Sequence, residues 1–149
     1  MDEYSLETML LALQEQMGEK LEITRDAFFT YLRVAPGDLL NLAKNLHLTY
    51  GFNYLANLTS VDYEDGFEVV YHLYSIPENN KIAVKTKVPR NKAELDSVFS
   101  VWPTADWQER EVYDLMGLTF KGHPNLIRVL LPDDFVGHPL RKDFKMEGR

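Results

Sequence analysis

Residues 53–88 hold three β-rich runs separated by two turn signals, and this block limits the possible folds more than any other stretch. The runs are NYLANLTSVDY, FEVVYHLYSI and KIAVKTKV; Glu64-Asp65-Gly66 divides the first two, and Pro77 to Asn80 divides the last two. Turn residues at that spacing predict an antiparallel meander. In the third run Ile82, Val84, Thr86 and Val88 alternate with Lys81, Ala83, Lys85 and Lys87. A period of two puts the first set on a buried face and the second on a wet one. If this run is an edge strand, its lysines also discourage stray pairing.

Helical patterns flank the meander. Leu6, Met9, Leu10, Leu13 and Met17 form a helical stripe that stops at Gly18, with Ser5 as the expected N-cap. KLEITRDAFFTYLRV reads as two short strands turning at Arg25-Asp26, and Leu39, Leu42, Ala43 and Leu46 mark a helix between Pro36-Gly37 and Gly51. VPRNKAELDSVFSVWP predicts a short helical turn. DWQEREVYDLMG predicts a firmer helix ending at Gly117, with Asp106 and Glu109 spaced as a capping box unless Pro103-Thr104 starts it earlier. The fold expected is therefore α+β: a mostly antiparallel sheet packed by helices, followed by an irregular tail rich in proline and glycine.

A chain of 149 residues without an internal linker is one domain, 1–149, divided here into a globular part of about 1–118 and an extended partner-binding tail, 119–149. Cysteine is absent, which excludes disulfides, thiolate catalysis and self-made iron–sulfur clusters. Apolar runs are short and Met1 is followed by Asp2 and Glu3, so neither direct membrane insertion nor a signal peptide is expected. Residues 1–75 carry 12 of the 23 acids but only 4 of the 16 bases. An acidic front half beside a balanced back half lacks the basic face of a nucleic-acid binder.

Two features invite a chemical reading. On a wheel of 100° per residue Glu109 falls inside the apolar arc of Val112, Tyr113 and Met116, while Arg110, Glu111 and Asp114 gather on the opposite side. A carboxylate there is neutral or partnered, since a buried lone charge costs several kcal/mol. It caps the helix, pairs with Arg128, Arg141 or Lys142, or acts as a functional acid; Arg110 and Asp114 have the spacing of a solvated i,i+4 pair. The second feature is Gly-His-Pro, written at 122–124 and again at 137–139 with Asp133-Asp134 between. His123, His138, Asp133 and Asp134 could ligate a metal in a free-standing hydrolase, but a spacing of 15 fixes no ligand pair on one rigid element. Glycine before and proline after each imidazole also suit defined turns, or histidines presented to a partner. No nucleophile elbow or glycine-rich phosphate loop is present.

The stretch WQEREVYDLMGLTFKGHPNLIRVLLPDDFVGHPLRKDF, Trp107 to Phe144, closely resembles the signature region of the 30 kDa subunit family of respiratory complex I, the NADH:quinone oxidoreductase. The matching positions run from Glu109, Arg110, Glu111 and Asp114 through Gly122, His123, Pro124, Arg128 and Pro132. They end with Gly137, His138, Pro139, Arg141, Lys142 and Asp143. YGFNYLANLTSVDY, VVYHLYS and VKTKVPR also match, so the likeness covers roughly 28–144 and omits the first helix.

The resemblance implies an α+β subunit without catalytic, cofactor or metal residues of its own. It implies hetero-oligomeric assembly on the cytoplasmic side of a membrane, next to the hydrogenase-like large subunit with the quinone site and next to iron–sulfur subunits. The holoenzyme would use NADH, FMN, iron–sulfur clusters and quinone in electron transfer coupled to ion translocation. The nearest alternative is the equivalent subunit of an energy-converting membrane hydrogenase or a ferredoxin-dependent relative, and a free-standing adaptor is another. On this reading Gly122–Asp143 is an interface strap, with Arg128, Arg141 and Lys142 pairing to the partner or to Glu109, Glu111 and Asp114.

Overall fold

The computed structural model describes residues 3–145, with side chains from Leu6 onward. Helix α1 spans Glu3–Met17 and ends in a 3-10 turn, Gly18–Lys20. The backbone of Ser5 is already helical, so it is not the N-cap; its side chain lies outside the described residues. Strands β1 (Glu22–Arg25) and β2 (Thr30–Arg33) pair antiparallel. Asp26 shapes the turn between them by accepting the Phe28 and Phe29 N–H groups at 2.7 and 2.8 Å. Helix α2 (Leu39–Leu48) follows a 3-10 turn at Pro36–Asp38, and its Leu39, Leu42, Ala43 and Leu46 are all buried.

Strands β3 (Tyr54–Asp62), β4 (Gly66–Ser75) and β5 (Asn80–Pro89) form the expected meander. The sheet order is β1-β2-β5-β4-β3, with β2 and β5 parallel and every other pair antiparallel. Strand β5 is thus the central strand, not an edge, because the chain crosses over to lay β2 beside it. Its lysines serve the open face of the sheet instead: Lys81 lies 4.9 Å from the Phe29 ring and Lys85 4.2 Å from the Tyr31 ring. On the opposite face Phe67, Val69, Tyr71, Leu73, Ile82, Val84 and Val88 join Met9, Leu13, Leu39 and Leu46 in one core. Each fully buried leucine there contributes about 1.5–3 kcal/mol.

Beyond β5 a 3-10 turn, Arg90–Lys92, leads to β6 (Glu94–Asp96), then helix α3 (Ala105–Met116) and β7 (Thr119–Lys121). The last strand pairs parallel with β6, a small sheet that the irregular sequence does not announce. Thr104 precedes α3 at its N-terminus, so Asp106 and Glu109 are not a capping box. Helix α3 lies along the edge strand β3, where the Leu58 N–H donates to Gln108 Oε1 at 2.6 Å. That contact satisfies an edge donor and fixes the helix on the sheet. Among the described residues no helix is long and apolar enough to cross a membrane.

Candidate docking interface

Helix α3 carries a buried carboxylate on each of two sides. Glu109 is fully enclosed, as its place in the apolar arc predicts. Its Oε1 accepts the Ser97 hydroxyl at 2.5 Å and its Oε2 accepts the Val98 N–H at 2.9 Å. No basic residue meets it among the described ion pairs, which corrects the expected pairing with Arg128, Arg141 or Lys142. Burial pushes its carboxyl up to about 7, against the lowering effect of the two donors and with a smaller upward push from Asp106. A long-range neighbour on the 97–98 turn leaves no local signal, so sequence reasoning misses Ser97.

Asp114 is equally buried, although the helical wheel assigns it to the solvent side with Arg110. The tail covers it. One oxygen, Oδ2, accepts the N–H groups of Val129, Leu130 and Leu131 at 3.1, 2.8 and 3.1 Å, and Oδ1 pairs with Arg128 Nη1 at 2.8 Å. Burial raises the carboxyl, but the three N–H groups and the guanidinium outweigh it and hold it below the ordinary range. The tail also completes the end of α3, whose last carbonyls lack helical donors. Gly117 N–H donates to Tyr113 O, His138 Nδ1–H to Asp114 O at 2.9 Å, and Leu140 N–H to Leu115 O at 2.8 Å.

The two Gly-His-Pro turns are therefore fasteners at opposite ends of one helix. Gly122 and Gly137 both take positive φ, 84° and 96°. His123 Nδ1 accepts the Asn125 N–H at 2.9 Å, which leaves Nε2–H to donate to Asp106 O at 3.1 Å in the first turn of α3. His138 binds the last turn. Among the described residues no group of three His, Cys, Asp or Glu side chains is arranged to hold a metal, and Asp133 and Asp134 are exposed on the tail. Of the other signature positions, Pro124 follows His123 in its turn, Pro132 O accepts the Phe135 N–H, and half-buried Pro139 precedes the Leu140 contact.

A further buried acid, Asp62 at the end of β3, anchors the far end of the tail. It accepts the Lys142 N–H at 2.8 Å and pairs with Arg90, which also holds Asp143 at 2.9 Å. Arg90 and Arg141 lie 4.8 and 5.1 Å from the Phe67 ring, and Arg141 pairs with Asp143. Of the three expected tail cations Arg128 pairs with Asp114 and Arg141 with Asp143, while Lys142 contributes its backbone N–H to Asp62; Arg128 alone of the three reaches an α3 acid among the described residues. Glu111 takes the Trp107 indole N–H instead.

With its polar groups turned inward, this region leaves apolar side chains outside: Trp107, Ile127, Leu130, Val136 and Leu140 are each about half exposed or more. The enclosed gap in the core, among Leu39, Tyr71, Val98 and Trp102, has room for about one water.

The family described as "Respiratory-chain NADH dehydrogenase, 30 Kd subunit" matches residues 32–149. An NADH-quinone oxidoreductase subunit of Moorella thermoacetica is 52% identical over 135 residues, covering 89% of this chain and 91% of the relative. The protein of the same name in Geotalea uraniireducens is 46% identical over 142 residues, covering 93% and 80%. A trypsin-resistant fragment (1-134) of Nqo5 superposes with a TM-score of 0.69 at 28% identity, covering 79% of this chain and 98% of the fragment. A chain in the structure of the membrane-bound sulfane sulfur reductase, an archaeal respiratory membrane complex, gives 0.82 at 27% identity, covering 96% and 87%. By the extent of the family match and its identity to these relatives, the chain belongs to the 30 kDa subunit family of respiratory-chain NADH dehydrogenase.

Proposed function

We propose that this chain is a non-catalytic member of the peripheral arm of a membrane-associated NADH:quinone oxidoreductase, docked by α3 and the tail beside the hydrogenase-like large subunit and the iron–sulfur subunits. NADH, FMN, the clusters and quinone are held by those other subunits, on the cytoplasmic side of the membrane. The observation that carries this reading is the inward use of the signature's charges. Asp114, Arg128, His123 and His138 bond to the chain itself, so the signature builds a shaped apolar surface. Exposed aromatic and aliphatic groups on a rigid polar frame suit protein docking.

The test is a native gel of a mild-detergent membrane extract probed for this chain, with the band stained for NADH-driven dye reduction and for hydrogenase activity. Co-migration with a large NADH-active band supports the reading; migration near 17 kDa alone defeats it. The similarity to a sulfane sulfur reductase chain favours one second reading, a related membrane respiratory complex with a different electron donor. In that case the large band takes electrons from ferredoxin and not from NADH.

A further inference from the structure

Six arginines lie among the described residues, and five have a carboxylate partner: Arg25 with Glu7, Arg33 with Glu68, Arg90 with Asp62, Arg128 with Asp114 and Arg141 with Asp143. Arg110 has none among the described ion pairs. None of the acids near it on α3 reaches it among the described ion pairs: Asp114, four residues after, meets Arg128, Glu111 takes the Trp107 indole, and Asp106, four residues before, has its Oδ1 3.1 Å from His123 Nε2. Arg110 is nevertheless held in place. Its Nε donates to Ile127 O at 3.2 Å and its guanidinium lies 5.7 Å from the Trp107 ring. Trp107 and Ile127, about half exposed, stand beside it, and Leu130 follows on the segment laid over the same side of α3.

From this arrangement, and resting on the docked-subunit reading above, we infer that Trp107, Arg110 and Ile127 form the central contact of the interface and receive a neighbouring protein's carboxylate flanked by apolar side chains. An apolar partner seated on Trp107 and Ile127 desolvates the guanidinium, and an unpaired buried cation opposes binding. A carboxylate removes that penalty and adds a bidentate, charge-assisted contact. Tryptophan and arginine are the side chains that most often dominate such contacts. The guanidinium is already fixed, so little of its freedom remains to be lost on docking.

The test uses the assembled membrane complex. Arg110→Lys places an amine where a zero-length carbodiimide reagent joins it only to a carboxylate in ion-pair contact, and mass spectrometry identifies the product. The expected product is a cross-link to a different polypeptide of the complex. Arg110→Ala should raise the fraction of this chain released by salt about tenfold or more, while Arg25→Ala, with its exposed pair, leaves release unchanged. Ile127→Asp, which supplies an internal carboxylate to Arg110 and repels the partner's, should also be released while its thermal midpoint is unaltered. Cross-links only to Asp106, Glu111 or Asp114, a cross-link to a second copy of this chain, or wild-type salt resistance in Arg110→Ala overturns the inference while leaving membership of the complex intact. Wild-type chain found outside any large complex overturns both.

Discussion

Asp114→Asn is the sharpest perturbation of this architecture because it keeps the side-chain shape and removes only charge. In the native chain one oxygen faces three backbone N–H groups at 2.8–3.1 Å and the other faces Arg128 at 2.8 Å. An asparagine must turn its amide N–H₂ toward one set or the other. Donor then faces donor, and either three backbone N–H groups or an Arg128 side chain only 12% exposed is left without its acceptor. Hydrogen bonds to charged groups contribute about 1.5–3 kcal/mol, and a broken buried pair costs about 3–5 kcal/mol. Because these contacts share one carboxylate and do not add, the expected loss is about 3 kcal/mol at pH 7. Urea unfolding of the purified chain measures it, and hydrogen exchange at Val129, Leu130 and Leu131 locates it. The pH dependence supplies a second check. The folded Asp114 carboxyl lies below its ordinary 3.8, so its stabilisation is complete above that value and is lost as pH falls through the lowered one. The gap between wild type and variant should therefore close in strong acid. A loss below about 1 kcal/mol at pH 7, with amides 129–131 still protected, would refute the anchoring role.

Glu109 titrates in the opposite sense: its folded value of about 7 lies above the ordinary 4.5, so wild type loses stability as pH rises through that interval. Glu109→Gln should flatten the slope and gain up to about 3 kcal/mol on wild type by pH 8, as read from urea midpoints across pH. Gly117→Ala should cost about 1–3 kcal/mol in thermal unfolding, since φ is +78° and a Cβ would sit 2.7 Å from His138 Cδ2. Lys85→Ala should cost about 0.5–1 kcal/mol, not nothing, because the ammonium lies over Tyr31 and 3.9 Å from buried Glu68. Limited trypsin on the isolated chain should cut after exposed Lys142 and Lys145 well before it cuts after Arg128, with mass spectrometry giving the order.

The meander is legible in the sequence because alternation and turn residues are local properties, and so is α3, whose end at Gly117 follows from a left-handed backbone angle. What stays hidden are the consequences of contacts between distant segments. The parallel pairing of β2 with β5 moves the lysine-bearing strand from edge to centre, and nothing within 81–88 encodes that neighbour. The β6–β7 pair has only three residues per strand, too few for a period to register. The helical wheel places Glu109 correctly inside, since it depends only on neighbours along α3. Its donors, Ser97 and Val98, come from a turn 12 and 11 residues away, so the wheel cannot name them. The same wheel fails for Asp114 because it assumes that the side away from the sheet meets water, and here the tail occupies it.

That failure bears on how the tail works. Many turns, prolines and mixed charges suggest a segment that orders only against a partner. The structure supplies a different source of order: buried carboxylates, Asp114 at residues 128–131 and Asp62 at residue 142, hold backbone N–H groups near both ends of the tail. Between them His138 and Leu140 fasten to the end of α3, while Pro132 to Asp134, Val136 and Gly137 stay exposed. Such a tail docks largely preformed, losing less conformational freedom on binding than a disordered strap. Hydrogen exchange on the isolated protein separates the alternatives. Protection at 129–131 and at Leu140 and Lys142, with fast exchange at 133, 134 and 136, is the preformed pattern. Uniformly fast exchange from 122 to 143 would mean that the two carboxylates take hold only once the partner is in place.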